Sequence, residues 1–385
     1  MEWKVPLADV VVADEDIAAV EEVLRSGWLS MGPRTAALEE AVASYTGAGH
    51  ALAVANGTAA LHLACLAAGI GPGDEVVVPS MTFVATVNAI AYTGATPVFA
   101  EISGITEPWL AYDAVSAAIG PRTAAIMHMP YGGHPGQTVA LAELASRRGL
   151  GLLEDAAHAL GSRLANRHLG TFGAIGAYSL FANKNLVAGE GGIVVTDDDA
   201  LARRMRTLRS HGMTTLTWDR HRGHASTYDV VELGYNYRID EMRAALATSR
   251  LPRLDRENRA RGEIVARMRA GLEGVDGLQA ALPPAADAQL AHHLFTVVLD
   301  EGTDRAAVRD FMRSAGVQTS VHYPPVHRFS HHSRDLELPL TTAYGARTMT
   351  LPLFAHMTTD QTDLVLEALV AAVAHARGAV PGGRA

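Results

Sequence analysis

Lys184 lies in the stretch AYSLFANKNLVAGEGGIVV, residues 177–195, and only one other lysine, Lys4, occurs in a chain whose lysines and arginines together number 32. An arginine stays charged at any accessible pH, whereas a lysine amine can lose its proton and act as a nucleophile. A composition that gives nearly every cationic position to arginine, yet keeps a lysine in this apolar, glycine-flanked stretch, points to a need for a free amine. A surplus surface lysine is the other reading, and composition alone does not separate the two.

Two further segments supply partners for such an amine. In AVANGTAALHLACLAAG, residues 53–69, an apolar run ends at Asn56, Gly57 and Thr58, and a helical pattern begins. A helix N-terminus with a glycine that lets the backbone approach closely, and a Thr hydroxyl beside it, is an anion site suited to phosphate. A plain Asn or Thr helix cap is the alternative. The segment is not a Walker loop, because GxxxxGK[ST] does not occur in the chain. In GLGLLEDAAHALGS, residues 149–162, Glu154 and Asp155 close an apolar run and His158 follows three residues later. At the C-terminal edge of a parallel sheet a carboxylate faces the ligand crevice, although a lone Asp there is also a common turn residue. Lys184 follows Asp155 by 29 residues, after a strand candidate that carries Ser179. A phosphate cradle, a strand-end Asp and a later lysine, in that order, meet the needs of pyridoxal 5′-phosphate. Its aldehyde requires an amine for a Schiff base, its pyridine nitrogen a carboxylate to stay protonated, and its phosphate a helix N-terminus.

The elements that must hold these groups can be read from periodicity. Between residues 51 and 198 the runs ALAVAN, EVVVPS, TPVFAEI, TAAIMHM, GLLEDAA, GAYSLF and GGIVVTDD alternate with Ala-rich helical patterns. Such alternation predicts an α/β fold with a mostly parallel sheet covered on both faces. Beyond residue 240 come a long helical stretch interrupted at Pro252, a strand candidate HLFTVVLD and an amphipathic helix DRAAVRDFMRSAG. The expected division is a large domain over 1–240, N-terminal segment included, and a smaller C-terminal α+β domain over 241–385, ending in a frayed AVPGGRA tail.

Composition excludes several function classes. With 48% hydrophobic and 19% charged residues the chain is that of an ordinary globular protein. Its net charge of −9 is spread without acidic or basic blocks, so neither nucleic acid nor an anionic membrane is an expected partner. Cys65 is the single cysteine and reads as a small buried hydrophobe, which fits a reducing compartment. No signal-type apolar region opens the chain and no run of about 18 apolar residues occurs, so the expected location is the cytoplasm. The four histidines of HYPPVHRFSHH, residues 322–332, match no zinc spacing, and no metal is expected.

The chain resembles the sugar aminotransferases of the DegT/DnrJ/EryC1/StrS family, which are pyridoxal phosphate enzymes of fold type I. The resemblance runs in order through SGWLSMGP (26–33), ANGTAAL, VPSMTFVATVNAI (78–90), EDAAHALGS, YSLFANKNLVAGEGG, GYNYRIDEMRAAL (234–246) and TLPLF (350–354). It implies that Lys184 forms the Schiff base, that Asp155 pairs with the pyridinium nitrogen, and that Gly57, Thr58 and Ser179 hold the phosphate. Phe83 is implied as a platform stacked on the cofactor ring. His158 stands where many relatives have Gln, near the cofactor's phenolic oxygen. Asn236, in the GYNYR motif, is implied to reach across a homodimer interface to the neighbouring subunit's phosphate, and His327 and Tyr323 to lie at the sugar pocket.

The reaction implied by the resemblance is transamination of a keto sugar, with L-glutamate as amino donor and a nucleotide-linked sugar, a dTDP-4-keto-6-deoxyhexose, as acceptor, feeding an amino sugar. Glu190 in AGEGG favours amination at C4 over C3 on the same resemblance; a 3-keto sugar or a cyclitol ketone stays open. A pyridoxal phosphate sugar dehydratase would carry His in place of Lys184. A non-catalytic ligand sensor on the same scaffold would need no intact set of lysine, aspartate and phosphate groups.

Overall fold

The computed structural model describes residues 3–215, 227–333 and 335–378. Its main sheet has seven strands: β1 His50–Val54, β2 Glu75–Pro79, β3 Thr96–Ala100, β4 Thr123–His128, β5 Gly151–Asp155, β6 Ile175–Ser179 and β7 Gly192–Thr196. Each falls on one of the apolar runs picked out by periodicity. The order across the sheet is β1-β7-β6-β5-β4-β2-β3. Strands β2 to β6 pair in parallel, while β7 runs antiparallel to both its neighbours. The link between β6 and β7, residues 180–191, contains no helix, so β7 turns back beside β6 instead of crossing over. That link carries Lys184.

Helices cover both faces, which is why the strands are apolar on both sides. Along β2 the side chains alternate: Val76 and Val78 enter one core with Leu63 of the helix Gly57–Ala67, and Val77 enters another with Leu144 of the helix Thr138–Arg148. A third core joins Ile193 of β7 to Leu38 and Ala247.

A second, three-stranded antiparallel sheet comprises Leu278–Ala280, Phe295–Leu299 and Thr348–Leu351. The helices Leu254–Gly271, Arg305–Ser314 and Thr359–Gly378 share a core with it, through Met268, Val297, Met312 and Leu369. The long helical stretch is broken where Pro252 predicts, into Glu241–Arg250, a short 3-10 turn Leu251–Arg253, and Leu254–Gly271. Packing does not follow a strict division at residue 240. Ala244, Ala247 and Leu251 bury against the large sheet's layer, and Val5 belongs to the core of the small sheet. A change of sequence period marks where a helix begins, not which core its apolar face enters. No helix among the described residues is long and apolar enough to cross a membrane. The AVPGGRA tail lies outside the described residues.

Candidate active site

The C-terminal ends of β1, β5 and β6 converge. Asp155 ends β5 opposite Ala177 of β6, and Ser179 ends β6 two residues further on. After β1 the chain turns at Asn56 into the helix Gly57–Ala67, where Asn56 Oδ1 accepts the Ala59 N–H at 2.8 Å. Strand β7 passes this turn so closely that a Cβ on Gly192 would stand 2.4 Å from the Asn56 carbonyl oxygen, which excludes any other residue there. Gly57 is tight to a lesser degree: its Cβ would lie 3.1 Å from Ser179 Cβ and 3.2 Å from Ser179 Oγ, so Ser179 would have to give way slightly.

These ends open onto a cavity of about 600 Å³. Gly57, Thr58 and Ser179 border it together, as do Asp155, His158 and Lys184, and the rings of Phe83 and Tyr323. Phe83 is 53% exposed at the border of the cavity, which leaves its ring free to meet a flat partner. Two of the residues singled out in the sequence lie elsewhere. Asn236 is exposed, pairs with Ser210 through a β-bridge, and does not border the cavity of its own chain. His327, expected at the sugar pocket, is buried, its Nδ1 lies 2.6 Å from Ser80 Oγ, and it does not border this cavity. The Ser80 hydroxyl also accepts the His327 N–H at 3.0 Å, so this histidine fastens the segment after Tyr323 to the end of β2.

Burial governs the charges. It pulls the Lys184 amine down to about 8, against an opposing pull from the Asp155 charge. At pH 7 roughly one such amine in ten is then neutral and nucleophilic. Burial pushes the Asp155 carboxyl up, opposed by hydrogen bonds from Thr86 Oγ1 at 2.6 Å and the Ala157 N–H at 3.2 Å and by the Lys184 charge. His158 is held far below the usual imidazole range by burial and then by the Lys184 charge, so it is neutral. Its Nδ1 accepts the Gly132 N–H at 3.2 Å, which leaves the proton on Nε2 to be donated to the Tyr323 oxygen at 2.9 Å. The Tyr323 hydrogen is thereby directed to another acceptor.

Two contributors were not singled out in the sequence. Thr86 sits three residues after Phe83 in the first turn of the helix Val84–Tyr92, fully buried, where its hydroxyl reaches Asp155. His293 Nε2 lies 3.3 Å from Lys184 Nζ. Asn185 donates through Nδ2 to Asn258 Oδ1 and to the Ala291 carbonyl, both at 2.7 Å, so its Oδ1 accepts from His293 Nδ1 at 3.1 Å. That chain of bonds turns the lone pair of His293 Nε2 toward the lysine amine.

The residues present fit pyridoxal phosphate. Asp155 is buried and, among the described residues, has no ion pair, so a protonated ring nitrogen would supply the cation it lacks. The open Gly57–Ser179 cradle at a helix N-terminus suits the phosphate, and the exposed Phe83 ring suits a planar heterocycle. The depressed amine can be tested directly. Acylation of Lys184 in the cofactor-free protein, followed by peptide mass mapping, should rise with pH through a midpoint near 8. A rate still climbing beyond pH 10 would contradict the burial argument.

Comparison with known proteins agrees with this geometry. Residues 11–370 match the DegT/DnrJ/EryC1/StrS aminotransferase family. The aminotransferase TlmJ from Streptoalloteichus hindustanus is similar in structure, with a TM-score of 0.90 at 34% identity over 96% of this chain and 99% of that one. DesV from S. venezuelae, solved in complex with a ketimine intermediate, gives a TM-score of 0.86 at 37% identity over 93% and 94% of the two chains. The sugar aminotransferase CalS13 from Micromonospora echinospora gives 0.87 at 30% identity over 95% and 99%.

Proposed function

The chain belongs to the DegT/DnrJ/EryC1/StrS aminotransferase family and is a pyridoxal-phosphate-dependent sugar aminotransferase, and from that premise we propose that it transfers the amino group of L-glutamate to a dTDP-4-keto-6-deoxyhexose in the making of an amino sugar. The observation that carries the reading is the meeting of Lys184, Asp155 and the Gly57, Thr58 and Ser179 cradle at one cavity. When bound, the cofactor supplies an aldehyde that accepts the amino group and a protonated ring that draws electrons from the donor carbon.

The protein's own groups do the rest. Gly57, Thr58 and Ser179 would hold the phosphate, and the exposed Phe83 ring would pack on the heterocycle. Asp155, itself held by Thr86, would keep a proton on the ring nitrogen. Lys184 Nζ takes the proton from the donor's α-carbon and later returns one to the sugar carbon, with His293 Nε2 fixing the direction of the amine. Neutral His158 grips the Tyr323 oxygen, so the Tyr323 hydroxyl donates to an oxygen in the cavity, such as the ketone of the sugar. The preference for C4 rests on the resemblance in AGEGG, whose Glu190 borders the cavity.

We further infer a homodimer with shared sites, in which Asn236 serves the neighbouring subunit's phosphate. Its exposure outside its own cavity supports this, as do the flanking Val231 and Leu233, exposed by 59% and 85%. A buried, lone Cys65 supports a reducing cytoplasm. The test of the substrate is a screen of purified holoenzyme with L-glutamate against 3-keto and 4-keto nucleotide sugars and an inosose-type ketone. The 4-keto dTDP-sugar should be aminated fastest, with one 2-oxoglutarate formed per amino sugar. Faster turnover of a 3-keto sugar or a cyclitol would overturn the assignment.

A further inference from the structure

A second cavity, of about 420 Å³, shares Asn183 and Lys184 with the first. Its walls come from the N-terminal segment around Val10, the helix Leu254–Gly271, and residues 353–356 that follow the small sheet. His293, the partner of the lysine amine, also borders it. The ionised groups on these walls are mostly matched. Asp9 meets His356 at 3.0 Å, Arg250 meets Asp16 at 3.2 Å, and Arg253 serves Asp16 at 2.7 Å together with Glu15 and Glu257.

Two guanidinium groups remain. Arg261 is 91% buried, donates one hydrogen bond, from Nη1 to Asn258 Oδ1 at 3.2 Å, and has no carboxylate partner among the described residues. Burial pulls it down to about 10, opposed by the Glu257 charge and reinforced by the Arg250 charge. Arg256, exposed and five residues earlier on the same helix, likewise has no ion pair among the described residues. A buried guanidinium with unused donors facing a cavity is costly unless an oxyanion completes it.

We propose that this cavity is the carboxylate subsite of the amino donor, with Arg261 holding the donor's α-carboxylate and Arg256 at the rim holding the side-chain carboxylate of a dicarboxylic amino acid. A guanidinium fork fits carboxylate and phosphate alike. The choice of carboxylate follows from the shared wall, because Lys184 is where the donor's amino group must arrive. The proposal rests on the aminotransferase reading and extends it to how the donor is selected. Arg261 acts by binding, through a route separate from the Gly57, Thr58 and Ser179 cradle.

The experiment uses holoenzyme and glutarate, a dicarboxylate that has no amino group and cannot react. Calorimetric titration should show glutarate binding that weakens by roughly 10- to 100-fold in Arg261→Gln, the loss expected for hydrogen bonds to a charged group, and to a smaller degree in Arg256→Gln. In the half-reaction, followed by the cofactor's absorbance, the KM for L-glutamate should rise in the same proportion while the KM for the keto sugar stays. If Arg261→Gln does not fold, Arg261→Lys, which keeps the charge and loses the fork, and Arg256→Gln carry the same comparison. Unchanged glutarate affinity in these variants would overturn the subsite. So would a rise confined to the keto sugar's KM, which would assign the oxyanion to the acceptor's phosphates. Glutarate binding that depends on Arg261, in a protein that aminates no keto sugar, would uphold the subsite and sink the substrate reading instead.

Discussion

Lys184→Arg loses amino transfer, by roughly 10⁴-fold in turnover, the upper end of what a positioned acid–base group contributes, while the protein remains folded. The substitution keeps a cation in the loop between β6 and β7 and removes only the ability to become a neutral amine. The burial that pulls the lysine to about 8 is what gives this position its function, and a guanidinium gives up no proton under the same burial. Single-turnover measurement with L-glutamate reads the effect without any acceptor. Turnover within tenfold of the parent would remove Lys184 from the role of proton carrier.

Asp155→Asn slows the same half-reaction strongly but leaves cofactor binding measurable. The amide can keep a hydrogen bond to Thr86, now 2.6 Å from the carboxylate, yet it cannot hold a proton on a ring nitrogen by charge. Removing one partner of a buried charge pair costs about 3–5 kcal/mol, which corresponds to roughly 10²- to 10⁴-fold in rate if it is felt in the transition state. Because the phosphate cradle is untouched, cofactor affinity should fall far less than rate. Equal losses in affinity and in rate would mean that Asp155 serves binding alone.

The parts of this site that were legible in the sequence are the local ones. Asn56, Gly57 and Thr58 announce a strand-to-helix turn within three residues, and Asp155 sits where an apolar run stops. The direction of β7 was not legible, because an antiparallel and a parallel strand both read as GGIVV when buried on both faces. Neither was the Thr86 hydrogen bond to Asp155, which spans 69 residues, nor the His293 contact with Lys184, which spans 109. His292 and His293 adjoin in AHHLF, and only the backbone path into the strand Phe295–Leu299 decides which ring meets the lysine. At His327 the motif matched, and its Nδ1 pairs with Ser80 across 247 residues, a contact the sequence did not announce. Resemblance carried the residue's position and not the direction of its side chain.

The most direct test of the account is chemical. Holoenzyme treated with borohydride, digested and mapped by mass should carry the reduced cofactor on the peptide containing Lys184 and on no other. The near-absence of lysine makes the answer unambiguous, since Lys4 is the sole competing side-chain amine. A label on Lys4, or a protein that binds the cofactor and retains none of it after reduction, would contradict the claim that Lys184 is the amine around which the site is built.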